Sequence, residues 1–148
     1  MPDRHYTTVR YPPELRDRFL AHFSEVLVAT LGILLGMTHI VTPYAQLSLE
    51  PMSPFMSYAL SALMVGGSGL WIFAILYQFK TANSYWLWLR FGLSFSGFSG
   101  FSYFVTAIGM RPQAVTVWLP YLVLSMIPIG LWFISFASEK SIRKTRRG

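Results

Sequence analysis

Apolar residues gather in four long runs, over residues 24–44, 55–78, 86–109 and 114–136, and the segments between them carry the chain's turn signals. A helix rises 1.5 Å per residue, so roughly 20 apolar residues cover a hydrocarbon core of about 30 Å. Each run is long enough for that. Pro51 and Pro54 interrupt the first separator, Asn83 the second, and Arg111 with Pro112 the third. The pattern predicts an all-α, polytopic membrane protein. Four transmembrane helices, joined by short loops, would pack as an antiparallel bundle.

Ahead of the first run, Pro13 to Phe23 places Leu15, Phe19 and Phe23 at helical spacing opposite Arg16, Asp17 and Arg18. This predicts a short amphipathic helix that lies on the membrane or extends the first span. The stretch His5 to Tyr11 is rich in β-formers but has no partner strand, which predicts an extended arm. Three regions follow: an arm with an interfacial helix over 1–23, a transmembrane domain over 24–136, and a basic tail over 137–148.

Composition strengthens the membrane reading. Hydrophobic residues make up 53% of the chain and charged residues only 12%, whereas a soluble domain carries roughly a quarter charged residues. The absence of cysteine excludes disulfides, thiolate zinc sites and iron–sulfur ligation. Residues 1–23 show no cleavable signal pattern, which predicts that the first span directs insertion.

The net charge of +6 matters through its placement. Arg4, Arg10, Arg16 and Arg18 precede the first run, and Lys140, Arg143, Lys144, Arg146 and Arg147 follow the last. Lys80 and Arg90 flank the second separator, the first has no basic residue, and the third has Arg111 alone. Positive charge is retained on the cytoplasmic or matrix side, so both termini are expected there, in an energy-transducing membrane such as a bacterial cell membrane or mitochondrial inner membrane. The short basic ends suit anionic headgroups or a partner subunit better than nucleic acid. Arg16, Arg18, Lys140, Arg143, Lys144, Arg146 and Arg147 are the expected contacts. Tyr77, Tyr85, Trp86, Trp88, Trp118, Tyr121 and Trp132 are expected at the two interfaces.

Small residues recur at spacings that let helices approach closely in lipid, where packing rather than water exclusion drives association. Gly32 and Gly36 mark the first span, Ser57, Ser61, Gly66 and Gly69 the second, and Gly92, Ser96 and Gly100 the third. They are expected to hold the bundle together or to form an oligomer interface. Ser94, Ser96, Ser99 and Ser102 run beside Phe91, Phe95, Phe98, Phe101 and Phe104. Hydroxyls in membrane helices usually bond back to their own carbonyls, although such a stripe can also line a pore. In the fourth span Pro120 and Pro128 remove ladder hydrogen bonds, which predicts a bend.

Ionisable groups inside the spans are Glu25, His39 and Arg90. Glu25 and Arg90 lie near the inner boundary, where snorkelling or mutual pairing would satisfy them. His39 stands toward the other end of the first span without a carboxylate beside it. Seventeen residues separate His22 from His39, about 25 Å along a helix, so the two cannot share a haem iron. No acidic pair lies mid-span to support acid–base catalysis or ion coupling. No catalytic, cofactor or metal site is expected.

The chain resembles phage holins in size, number of spans and its basic Lys140 to Arg147 tail, a likeness that implies pore formation. It also resembles small accessory subunits of respiratory or other energy-converting membrane assemblies, being basic, aromatic-rich and poor in motifs. Small multidrug transporters carry an acidic residue deep in their first span, and Glu25 stands too near the boundary to fill that place. The leading expectation is a non-enzymatic structural or accessory subunit. A holin-like pore and a small solute carrier, with Ser96, Ser99, Ser102 and Thr106 lining a cavity, are the alternatives.

Overall fold

The computed structural model describes residues 15–41, 53–77, 79 and 82–145, and every element among them is a helix. In chain order these are α1 (Leu15–Ala21), α2 (Phe23–Val41), α3 (Pro54–Leu76), α4 (Ala82–Met110) and α5 (Val115–Thr145). The arm at residues 5–11 and the separator at 42–52 lie outside the described residues.

The last four helices are long and apolar enough to cross a membrane. The protein is multi-pass. The joint between α1 and α2 keeps helical hydrogen bonding, with His22 N donating to Arg18 O at 3.1 Å and Val26 N to His22 O at 3.0 Å. Helix α3 opens on a capping serine: Ser53 Oγ accepts from Met56 N at 3.3 Å, and Pro54 occupies a first-turn position that needs no amide donor. It stops where Tyr77 turns extended, leaving a last bond from Tyr77 N to Phe73 O of 2.9 Å. A tight turn at Arg111 to Ala114, closed by Ala114 N donating to Arg111 O at 3.0 Å, leads into α5.

Helix α3 packs along α2 and α4, and α4 packs along α5, whereas α2 meets α4 and α5 only sparingly. Two apolar clusters sit between the helices. One joins Val26, Ala29, Trp71, Ala74, Ile75, Leu89 and Leu93, and the other Leu60, Met64, Tyr103, Ala107, Tyr121 and Leu124. The first lies at what we call the arginine end, near Arg90. The second lies at the histidine end, near His39.

The helices touch through glycine. A Cβ on Gly67 would fall 2.5 Å from Ser96 N, and one on Gly36 would fall 2.7 Å from a Val65 methyl. Gly100 faces the Leu124 carbonyl, 2.9 Å from where its Cβ would lie. That carbonyl is the one whose helix donor would be the amide of residue 128, which is proline. An exposed peptide oxygen is thereby closed off by the α4 backbone, through a close contact that only a residue without a side chain allows. Gly66 and Gly69 play no such part within the chain: a Cβ on either meets nothing within 4 Å.

Large apolar side chains face outward on every long helix, among them Leu34, Phe55, Phe98, Phe133 and Ile134. Over their most apolar stretches only 28% of α2 and 22% of α5 is buried within the chain. Apolar surface this continuous requires a nonaqueous cover, which lipid supplies.

Helix α5 runs well past the predicted span end at 136, carrying Glu139 and Lys140 on regular helix. In helix α1, Arg18 departs from the expected polar face. Leu15, Phe19 and Leu20 are exposed, while Arg18 is buried and its Nη1 donates to the Leu76 carbonyl at the end of α3. That carbonyl has no further turn to pair with, so a guanidinium satisfies it better than water does.

Candidate functional site

Polar side chains inside the four helices collect in two places. At the arginine end, Arg90 on α4 reaches across to α5. Its Nη2 pairs with Glu139 Oε2 and donates to Ser135 O at 3.3 Å, and its Nε donates to Ser135 Oγ at 3.1 Å. The guanidinium carbon lies 3.7 Å from the centroid of the Phe136 ring. Ion pairing, hydrogen bonding and stacking thus fix the group on every side, which is how a largely buried arginine is tolerated. Glu25, the expected partner, instead bonds His22 Nδ1 at 2.9 Å. The longer α5 explains the difference. Glu139 lies on a helix face that the sequence assigns to the tail.

The Glu25 hydrogen bond, reinforced by its charge, raises the pKa of His22 above the usual value against the opposing effect of burial. His22 precedes the first span and can take part in pH dependence near neutrality.

At the histidine end, four helices contribute to one buried network. His39 Nε2 on α2 and the Tyr121 hydroxyl on α5 are 2.6 Å apart. Tyr103 on α4 stacks on Tyr121 with centroids 5.4 Å apart and meets His39 edge to face at 4.8 Å. The Tyr103 hydroxyl donates to the Ser57 carbonyl on α3 at 2.9 Å and lies 2.7 Å from Ser61 Oγ. Ser61 Oγ donates to the Ser57 carbonyl at 2.8 Å. All five residues are buried. Close packing brings them together: Gly36, one turn before His39, sets α2 against α3, its Cβ position being 3.1 Å from Ser61 O.

Tyr121, expected among the interface aromatics, is instead part of this core, with 3% of its surface exposed. Tyr103 carries no feature in the sequence that separates it from the surrounding phenylalanines except its hydroxyl. That hydroxyl is the available signal, since a phenol within an apolar span needs a partner. Trp118 does lie toward the end of α5, its Nε1 donating to Pro112 O at 3.1 Å.

Ser96, Ser99 and Ser102 of α4 are used internally. Ser96 Oγ meets Ser68 Oγ at 3.1 Å, Ser99 donates to Phe95 O at 2.8 Å, and Ser102 donates to Phe98 O at 2.9 Å. Thr106 bonds Ser102 O in the same way. Gly32, with its Cβ position 2.4 Å from Ser68 Oγ, and Gly92 complete the contact surfaces that the spacing picks out. Trp71 Nε1 and Arg18 Nε are buried donors without a partner among the described residues.

Of the expected headgroup contacts, Arg16 and Lys140 are exposed while Arg18 is enclosed. Arg143 and Lys144 fall on the last turn of α5, where no side chain is described, and Arg146 and Arg147 lie outside the described residues. Among the described residues no three histidine, aspartate or glutamate side chains gather as a metal site would require. No protein-family model, curated protein or solved structure matches the chain.

Proposed function

We propose that this chain is a non-enzymatic membrane subunit that contributes a structural element to a larger assembly. Its four spans form an antiparallel bundle, with α1 as an amphipathic segment at the interface. Both basic ends face the cytoplasm or matrix of an energy-transducing membrane, where they meet anionic headgroups or partner subunits.

One observation carries this reading. Ser96, Ser99, Ser102 and Thr106 of α4 are bonded to a neighbouring serine or to backbone carbonyls, while apolar side chains face outward along all four spans. A carrier needs polar groups turned toward a solute at mid-membrane, and a pore needs them turned toward water. Here they close on the protein itself, and what is offered outward is apolar surface for lipid and neighbouring helices.

Gentle extraction from the native membrane followed by native electrophoresis tests the proposal. The expected result is a band well above that of the 16.9 kDa chain, containing the same other membrane proteins in repeated preparations. Migration as a monomer, or abrupt loss of membrane potential on expression in a bacterium, would overturn it, the second in favour of a pore.

A further inference from the structure

We infer that the histidine end is a proton-operated contact, in which protonation of His39 releases the end of α2 from α5. Helix α2 packs along α3 and hardly touches α5 elsewhere, so the bond between His39 Nε2 and the Tyr121 hydroxyl is their main polar tie.

The groups facing His39 are neutral at physiological pH. Helix α4 presents Tyr103, α5 presents Tyr121, and α3 presents Ser57 and Ser61 through the Tyr103 hydroxyl. Among the described residues, no carboxylate or cation contacts the ring. His39 makes one hydrogen bond there, through Nε2.

A neutral imidazole suits this arrangement, because one ring nitrogen and one hydroxyl satisfy each other. An imidazolium does not. Both nitrogens then donate, so the Tyr121 hydroxyl must turn to accept and its own proton loses its acceptor, while Nδ1–H, already without an acceptor among the described residues in the neutral ring, now shares the positive charge. A charge is also placed among aromatic rings with no counter-ion among the described residues. Val41, two residues beyond His39, is the last residue of α2 and is exposed. The charge is relieved most directly by moving that end of α2 outward. The gap so formed would be lined by Tyr103, Tyr121, Ser57 and Ser61.

The chain contains no cysteine, which makes a paired spin-label measurement unambiguous. Labels are placed at Met37→Cys and Leu119→Cys, both exposed positions on α2 and α5, in the full chain reconstituted in lipid nanodiscs. The main distance at pH 5.5 is expected to exceed that at pH 8 by about 2 Å or more, the scale of helix shifts in switching proteins. His39→Gln, which keeps a neutral hydrogen-bonding group, should hold the pH 8 distance at both values. Tyr121→Phe should show the longer distance already at pH 8. His22→Asn should leave the response intact, and a control pair at Leu27→Cys and Phe133→Cys should not move. An unchanged wild-type distance overturns the inference, as does an equal shift in His39→Gln.

Discussion

Gly92 on α4 is pressed against the backbone of Trp71 on α3: a Cβ added to Gly92 would lie 2.5 Å from the Trp71 amide nitrogen. Gly67 makes the reciprocal approach from α3 toward Ser96. The backbones of the two central helices are therefore in direct contact, and neither glycine can gain a methyl group without separating them.

Substitution of Gly92 or Gly67 by alanine is accordingly expected to destabilise the fold by about 1–3 kcal/mol, the usual cost of overpacking. Gly66→Ala and Gly69→Ala, whose added methyls meet nothing, should be neutral or slightly stabilising through helix propensity. Thermal unfolding of the four variants in one detergent checks this. Equal losses at all four positions would mean that helix contacts run elsewhere.

The pair formed by Arg90 and Glu139 ties α4 to α5 at the arginine end. Removing one partner leaves the other charge largely enclosed, so Glu139→Gln should cost about 1–3 kcal/mol. A double-mutant cycle with Arg90→Gln should give a coupling energy of about 0.5–3 kcal/mol, as for groups in direct contact. Additive losses would show that the two residues act separately.

Tyr103 fills the histidine end, where its hydroxyl donates to the Ser57 carbonyl and lies against Ser61 Oγ. Tyr103→Phe should lower stability by about 0.5–1.5 kcal/mol through the lost hydrogen bonds. Tyr103→Ala, which empties a buried site, should cost about 3–5 kcal/mol. Unfolding of both variants by a denaturing detergent distinguishes the two effects, and similar losses would mean that the ring adds little to packing.

The helical plan was legible because lipid imposes a simple demand: a span must be long and apolar whatever it packs against. Which residues touch was less legible. Gly66 and Gly67 are adjacent, and hydropathy cannot say which of two neighbouring glycines faces α4. The apolar run ends before Glu139 and so assigns it to the basic tail, although the helix continues through it. The tie between His39 and Tyr121 spans 82 positions of sequence, and only the packing of the helices brings those ends together.

The His22 and Glu25 contact gives a pH dependence whose sign follows from the shift. The pKa of His22 is raised in the folded state above its ordinary 6.5. Protonated His22 therefore adds stability that is fully present below pH 6.5 and is lost as pH rises through the folded-state pKa. The thermal midpoint of the wild type should exceed that of His22→Asn most at pH 6, and the difference should vanish by pH 9. A difference that grows with pH contradicts the assignment.

Four helices that cross a bilayer would return both ends of the chain to one side. Single cysteines at Arg16, Ser53, Gln113 and Lys140, all exposed positions, can be labelled with a membrane-impermeant maleimide in sealed right-side-out vesicles. Ser53→Cys and Gln113→Cys should label from outside, and Arg16→Cys and Lys140→Cys only after the vesicles are opened. Labelling of Ser53→Cys and Lys140→Cys from the same face would contradict that arrangement.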